Sequence, residues 1–128
     1  YPDDPVIRQD WAQYLNSWKV VDRQVSQIIG DLRKAGVLEN TVIFFWTDHG
    51  LSHLRGKQFL YEEGIQVPLL VRFGDKQRAG RTRVDLVAPI DITATSLALA
   101  GIEIPDHIRE SDYEFTRRYA RRLVRNLE

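Results

Sequence analysis

The sequence predicts an α/β fold in which amphipathic helices lie on a sheet covered on both faces. Two observations predict it. Thr41 to Thr47, TVIFFWT, and Val67 to Phe73, VPLLVRF, are unbroken runs rich in β-branched and aromatic residues, and such continuity marks strands with no watery face. Ahead of them a long stretch repeats its apolar residues at helical rather than strand spacing.

The elements follow in order. Tyr1 to Pro5, YPDDP, is rich in turn formers, with prolines restricting the backbone on both sides of two aspartates. From about Gln9, the residues Trp11, Tyr14, Leu15, Trp18, Val21, Val25, Ile28, Ile29 and Leu32 recur at steps of three and four. Asp10 is the expected cap and Gly36 the expected stop, giving one helix from about 10 to 35. The two apolar runs supply strands, with Pro68 tolerated best at a strand beginning. Gly74 to Arg83 reads as a polar loop. A short helix is expected over about 91 to 100, with Asp91 as N-cap and Gly101 at its end. Ser111 to Glu128 reads as a last helix, with Ser111 and Glu114 as a capping box, an apolar stripe through Tyr119, Leu123 and Leu127, and five arginines around it.

Composition bounds the function. A chain of 128 residues has room for one domain with a modest core. Eighteen basic and eighteen acidic residues cancel, so no global field argues for nucleic acid or a membrane surface, and a charged ligand has to be held locally. The absence of cysteine removes disulfides, thiolate metal sites and Cys nucleophiles. No apolar run approaches the roughly 20 residues of a membrane span. The chain starts at Tyr1 without an initiator Met or leader-like segment, as expected of a processed chain or a piece of something longer.

The chemistry collects at Thr47 to Phe59, TDHGLSHLRGKQF, behind the first strand. In open α/β sheets ligands bind beyond the carboxyl ends of strands, where loops converge. Asp48 offers a carboxylate and His49 an imidazole, and Gly50 lets the chain turn away, as a loop around a divalent cation requires. The same pair also reads as a turn cap and a satisfied polar side chain. Arg55 and Lys57 flank Gly56, an arrangement suited to a tetrahedral oxyanion, or simply to solvated loop cations. His53 can donate a proton near neutral pH or sit at the surface. His107 reads as a surface residue, and Asp3 with Asp4 as a turn in preference to a paired-carboxylate metal site.

Three ordered segments, "LRKAGVLENTVIFFWTDHG", "GKQFLYEEGIQVPLLVRF" and "DLVAPIDITATSLALAGIEIPDH", resemble the C-terminal part of the sulfatase catalytic domain, in the alkaline phosphatase superfamily. The likeness runs from about Tyr1 to His107 and fades beyond about Arg109. It implies part of an α/β/α sandwich with a mostly parallel central sheet, alkaline phosphatase-like, over residues 1–109. Residues 110–128 would then be an arginine-rich amphipathic helix, a remnant of the smaller C-terminal subdomain or a solvated helix packed on a sheet.

The resemblance also implies roles. Asp48 and His49 become ligands of a divalent cation, Ca²⁺ first and Mn²⁺ second. Lys57 becomes the sulfate contact, acting in both binding and catalysis, while the short loop leaves Arg55 a candidate substrate contact and His53 a candidate catalytic residue. The substrate class is a sulfated small molecule or glycan, and relatives work in periplasm, lysosome or outside the cell. One departure is large. The family's C/S-x-P/A-x-R motif, whose Cys or Ser becomes the formylglycine nucleophile, has no counterpart here: there is no Cys, and no proline lies between a Ser two before and an Arg two after. Formylglycine is therefore expected upstream in a complete protein. A phosphonate or phosphodiester hydrolase of the same superfamily, or a non-catalytic scaffold that binds a partner, fits the same residues. A half-sheet with open edges is expected to self-associate.

Overall fold

The computed structural model describes residues 1–74, 79–82, 84 and 87–104. It is a mixed α/β chain in which β1 (Ile43–Trp46) and β2 (Leu69–Arg72) are neighbours in a two-stranded sheet. The chain divides into two compact units. One joins Tyr1–Ile43 to Val71–Ala79; the other holds Phe44–Leu70 and the described part of Gly80–Glu128, so each carries part of both strands.

In the first unit α1 runs over Pro5–Lys34. It begins well before the expected Asp10, which lies inside the helix. The reason is local: Asp4 is extended and its carboxylate accepts the Val6 N–H at 2.8 Å, while Pro5 sits at the first helical position, where a missing N–H costs nothing. Asp3 pairs instead with Arg8, whose Nη2 lies 2.6 Å from the carboxylate, and this bond raises the already high Arg8 pKa. Where the sequence suggests a turn, Asp4 thus caps the helix and Asp3 pairs with its first turn. Along the helix Tyr1, Trp11, Tyr14 and Trp18 make an edge-to-face ladder with centroids 5.5, 5.6 and 6.1 Å apart.

Gly36 ends α1 as expected. Its φ of 71° lets its N–H reach the Arg33 carbonyl at 3.0 Å and the Val37 N–H reach Leu32 at 3.1 Å, closing the left-handed cap that favours glycine. A 3-10 turn follows over Leu38–Asn40, and Leu38 is 2% exposed. Arg72 of β2 donates to the Leu38 carbonyl at 3.0 Å and to Glu39 at 3.2 Å, which anchors the end of that strand to the turn.

In the second unit the end of β1 leads into the loop carrying the titratable residues, then α2 (Glu62–Ile65), the start of β2 and α3 (Pro89–Leu99). Pro68 immediately precedes β2, the position its missing N–H tolerates. The N-cap of α3 is Ala88, not Asp91. Alanine has no side-chain acceptor, so Asp91, 1% exposed at the third helical position, reaches back to accept the Ala88 N–H at 2.7 Å. Gly101, φ 70°, closes the other end with the Ile102 N–H on Leu97 at 2.9 Å.

The expectation that both strands are covered on both faces does not hold among the described residues. Trp46, Leu69, Leu70 and Val71 are exposed, and the buried hydrophobic residues are Leu38 in one unit and Ala94 in the other. A two-stranded sheet gives each strand a single hydrogen-bonded neighbour and little surface to lie against. No described helix is long and apolar enough to cross a membrane. The expected helix from Ser111 to Glu128 and His107 lie outside the described residues.

Exposed apolar side chains on this scale bring copies together. The 128-residue chain expressed alone should show a mass in light scattering that rises above 14.9 kDa with concentration. A concentration-independent monomer that melts cooperatively would overturn this expectation.

Candidate active site

The loop from Gly50 to Gly64 is folded on itself by backbone contacts. The Gly50 N–H donates to the Gly64 carbonyl at 3.0 Å, Lys57 to Leu51 at 2.7 Å, Gly56 to His53 at 3.0 Å and Phe59 to Gly56 at 3.0 Å. Three glycines permit this approach. A Cβ on Gly50 would overlap the Glu63 carbonyl oxygen, one on Gly56 the Leu51 oxygen, and one on Gly64 the Phe59 and Gly56 oxygens. Because those neighbours are backbone, none can swing aside.

Asp48 and His49 follow directly on β1. The His49 Nδ1 lies 2.7 Å from the Gly50 carbonyl oxygen, which can only accept, so Nδ1 carries the proton. The neutral ring then presents the lone pair of Nε2, and this atom is 3.6 Å from the Asp48 carboxylate. A proton on Nε2 or a cation bound to both atoms would make this approach favourable. Donors about 2.3–2.6 Å from one Ca²⁺ and at right angles about it lie about 3.3–3.7 Å apart, which the observed separation matches. An imidazole that fixes its tautomer on a backbone carbonyl is also the usual arrangement of a ligating histidine. Asp48 is 87% exposed and His49 34%, so the pair is open on one side. Among the described residues no third His, Cys, Asp or Glu joins them.

The two basic residues are placed differently. Lys57 is exposed, held by its backbone bond to Leu51. Arg55 has φ 64° and its guanidinium carbon lies 5.5 Å from the centre of the Tyr61 ring, the geometry of a cation–π contact. Gln58, on the far side of Lys57, also has positive φ, 83°. Left-handed backbone outside glycine costs about 1–2 kcal/mol and clusters where the chain is held for a purpose. His53 is half-buried, its carbonyl engaged by Gly56. Asp48 and His49 are thus brought together, whereas Arg55 is turned onto Tyr61.

Residues 2–102 match the family model described as Sulfatase. The chain belongs to the sulfatase family. Its relatives include the "Ulvan-active sulfatase" of Formosa agariphila, 32% identical over 100 residues that cover 78% of this chain and 17% of that protein. The "N-acetylglucosamine-6-O-sulfatase" of Bacteroides thetaiotaomicron is 32% identical over 106 residues, covering 80% of this chain and 19% of the relative. The human "N-sulphoglucosamine sulphohydrolase" is 32% identical over 107 residues, covering 83% and 21%. The chain therefore spans about a fifth of the length of these sulfatases.

Sequence reasoning missed Tyr61, Gln58 and the helix α2. Tyr61 lies in an apolar-looking FLY triplet that reads as the approach to a strand, and positive φ at Gln58 has no residue-type signal. The close approaches do have one: glycines at 50, 56 and 64 in a single short sulfatase loop.

These glycines set a stability contrast. Gly56→Ala should destabilise by about 1–3 kcal/mol, since the new methyl has no room. Gly30→Ala, inside α1 with open space around it, should stabilise by about 0.5–1 kcal/mol. Denaturant melts of both variants give the comparison; equal effects at the two positions would contradict the packed loop.

Proposed function

We propose that this chain is part of a sulfatase-like hydrolase of sulfate esters or sulfamates and contributes a cation site and a sulfate-binding group to it. The observation that carries the reading is the family match over residues 2–102. The Asp48–His49 geometry supports it independently. The alkaline phosphatase-like sandwich, with the mostly parallel sheet it implies, belongs to the same proposal. So does a formylglycine nucleophile supplied from outside these 128 residues.

A bound divalent cation, Ca²⁺ in this reading with Mn²⁺ as the alternative, supplies Lewis acidity and a template for the sulfate oxygens. Asp48 would hold it through a carboxylate oxygen and His49 through Nε2, with the Gly50 carbonyl fixing the ring. Lys57 would bind a sulfate oxygen as a compact point charge and stabilise negative charge growing on the leaving oxygen. Arg55 would add a fork of donors to the same anion. His53 is the residue of this loop able to hand a proton to the departing oxygen near neutral pH.

A second reading, a non-catalytic scaffold, is favoured by one observation: the described residues bring two ligands together where Ca²⁺ takes six to eight. Phosphonate or phosphodiester hydrolysis shares the same residues and differs at the reacting atom.

Turnover of aryl sulfate and aryl phosphonate by the natural-length protein, with and without chelator, separates these readings. Sulfate hydrolysis should exceed phosphonate hydrolysis, stop with EDTA and return with Ca²⁺. Faster phosphonate turnover would favour the second chemistry, and no turnover of either would favour the scaffold. Lys57→Ala should lower kcat/KM on aryl sulfate by roughly 10²–10³-fold, the cost of deleting one preorganised stabiliser of developing charge.

Asp48→Ala bears on the metal directly. The wild-type melting temperature should rise with added Ca²⁺, because a ligand bound only to the folded state stabilises it by mass action. The variant should lose that rise. A Ca²⁺ response undiminished in Asp48→Ala would remove this carboxylate from the cation site.

A further inference from the structure

We propose that Tyr61 is a positioning residue for substrate anion binding: its ring holds the Arg55 guanidinium and so sets the affinity for the sulfated group. The inference rests on the sulfatase reading of Lys57 and Arg55, and it adds a residue and a device that the reading does not contain.

Four observations meet here. The Arg55 guanidinium lies 5.5 Å from the Tyr61 ring centre. Arg55 holds a left-handed backbone, φ 64°, at which glycine would be easier, so the side chain is kept at a conformational cost. Some cations of the chain pair with carboxylates, Arg8 with Asp3, Lys34 with Asp31 and Arg72 with Glu39. By contrast no described carboxylate pairs with Arg55 or Lys57, although Glu62 and Glu63 follow Tyr61 directly. A ring fixes a guanidinium without neutralising it, and its donors stay available in the plane to an oxyanion.

Tyr61 is itself held. Its carbonyl accepts the Gly64 and Ile65 N–H groups at 2.8 and 3.1 Å, which makes it the N-cap of α2. Phe59 lies against it, ring centres 6.2 Å apart. The Tyr61 backbone therefore belongs to the folded loop, and its exposed ring rests against Phe59 and Arg55. Lys57, between left-handed Arg55 and Gln58, shares the same backbone frame. Preorganising one binding cation lowers the cost of ordering it when substrate arrives, and that gain falls on binding and not on the chemical step.

The test is a double-mutant cycle in the natural-length protein with an aryl sulfate. Tyr61→Leu should raise KM about two- to fivefold with kcat within twofold, the weight of one exposed cation–π contact. Tyr61→Phe keeps the ring face and should stay close to wild type. Arg55→Ala should raise KM further, and in that background Tyr61→Leu should add nothing. The Arg55 side-chain NMR signals give a readout without turnover: a ring-current shift present in wild type and Tyr61→Phe and lost in Tyr61→Leu.

An equal KM effect of Tyr61→Leu in both backgrounds, or a Tyr61→Phe variant as impaired as Tyr61→Leu, overturns the positioning role. An Arg55 shift unmoved by Tyr61→Leu does the same. Activity indifferent to Lys57→Ala would instead sink the sulfatase assignment of the loop, while the NMR shift still reports on the stack.

Discussion

The closure of the loop at Gly50 and Gly64 is the constraint on which the candidate site depends. One backbone hydrogen bond of 3.0 Å brings the residue after the Asp48–His49 pair against the middle of α2. Between these ends the chain crosses itself at Gly56, where the Leu51 carbonyl occupies the space a side chain would need. A hydrogen bond contributes only about 0.5–1.5 kcal/mol net, and ordering a residue costs about 1–2 kcal/mol, so the bonds alone do not hold such a loop. Close packing of backbone on backbone at Gly50, Gly56 and Gly64 adds to them. It explains how Arg55 and Gln58 persist in left-handed conformations on either side of Lys57.

Much of this was legible in the sequence, and the misses have physical causes. Both strands fall within the apolar runs, and Gly36 and Gly101 end their helices as glycines in a left-handed cap should. Both helices start earlier than the sequence predicts for one reason: the expectation follows the first aspartate beside the apolar periodicity, whereas the chain starts each helix at a proline. Asp4-Pro5 and Ala88-Pro89 supply a residue in extended conformation followed by one whose φ already suits a helix. At α3 the aspartate still caps, but from three residues inside, because Ala88 has no oxygen to offer. Burial was the least legible property. A continuous apolar run says that a strand is meant to be covered, and says nothing about which residues cover it.

At the candidate site, the sequence singles out Asp48, His49, Arg55 and Lys57 but not their mutual arrangement. Asp48 and His49 are adjacent in sequence, so their meeting required little of the fold. The Arg55–Tyr61 contact joins positions six apart through a turn whose shape depends on three glycines and two left-handed residues. Exposed ion pairs such as Arg8–Asp3 contribute little stability, and their sequence spacing is easy to see. The contact on which the proposed anion site would rely is the one that local pattern reading is least able to find.

The Asp48–His49 separation also bears on the choice of cation. With Nδ1 committed to the Gly50 carbonyl, the ring can rotate little without losing a 2.7 Å bond, so Nε2 is nearly fixed in place. A Mg²⁺ ion, whose ligands sit at about 2.0–2.1 Å, would need right-angled donors about 2.9 Å apart and would have to draw the carboxylate inward. A larger ion meets both atoms at their present 3.6 Å. Magnesium is also reluctant to give up its water, while calcium accepts an irregular, partly hydrated shell. The exposed face of Asp48 would leave room for such a shell in the proposed site, and for a sulfate oxygen to reach the ion. In the proposed cation site the hydrogen bond from imidazole to backbone would select the nitrogen able to ligate, and a 3.6 Å separation would suit a larger ion better than Mg²⁺.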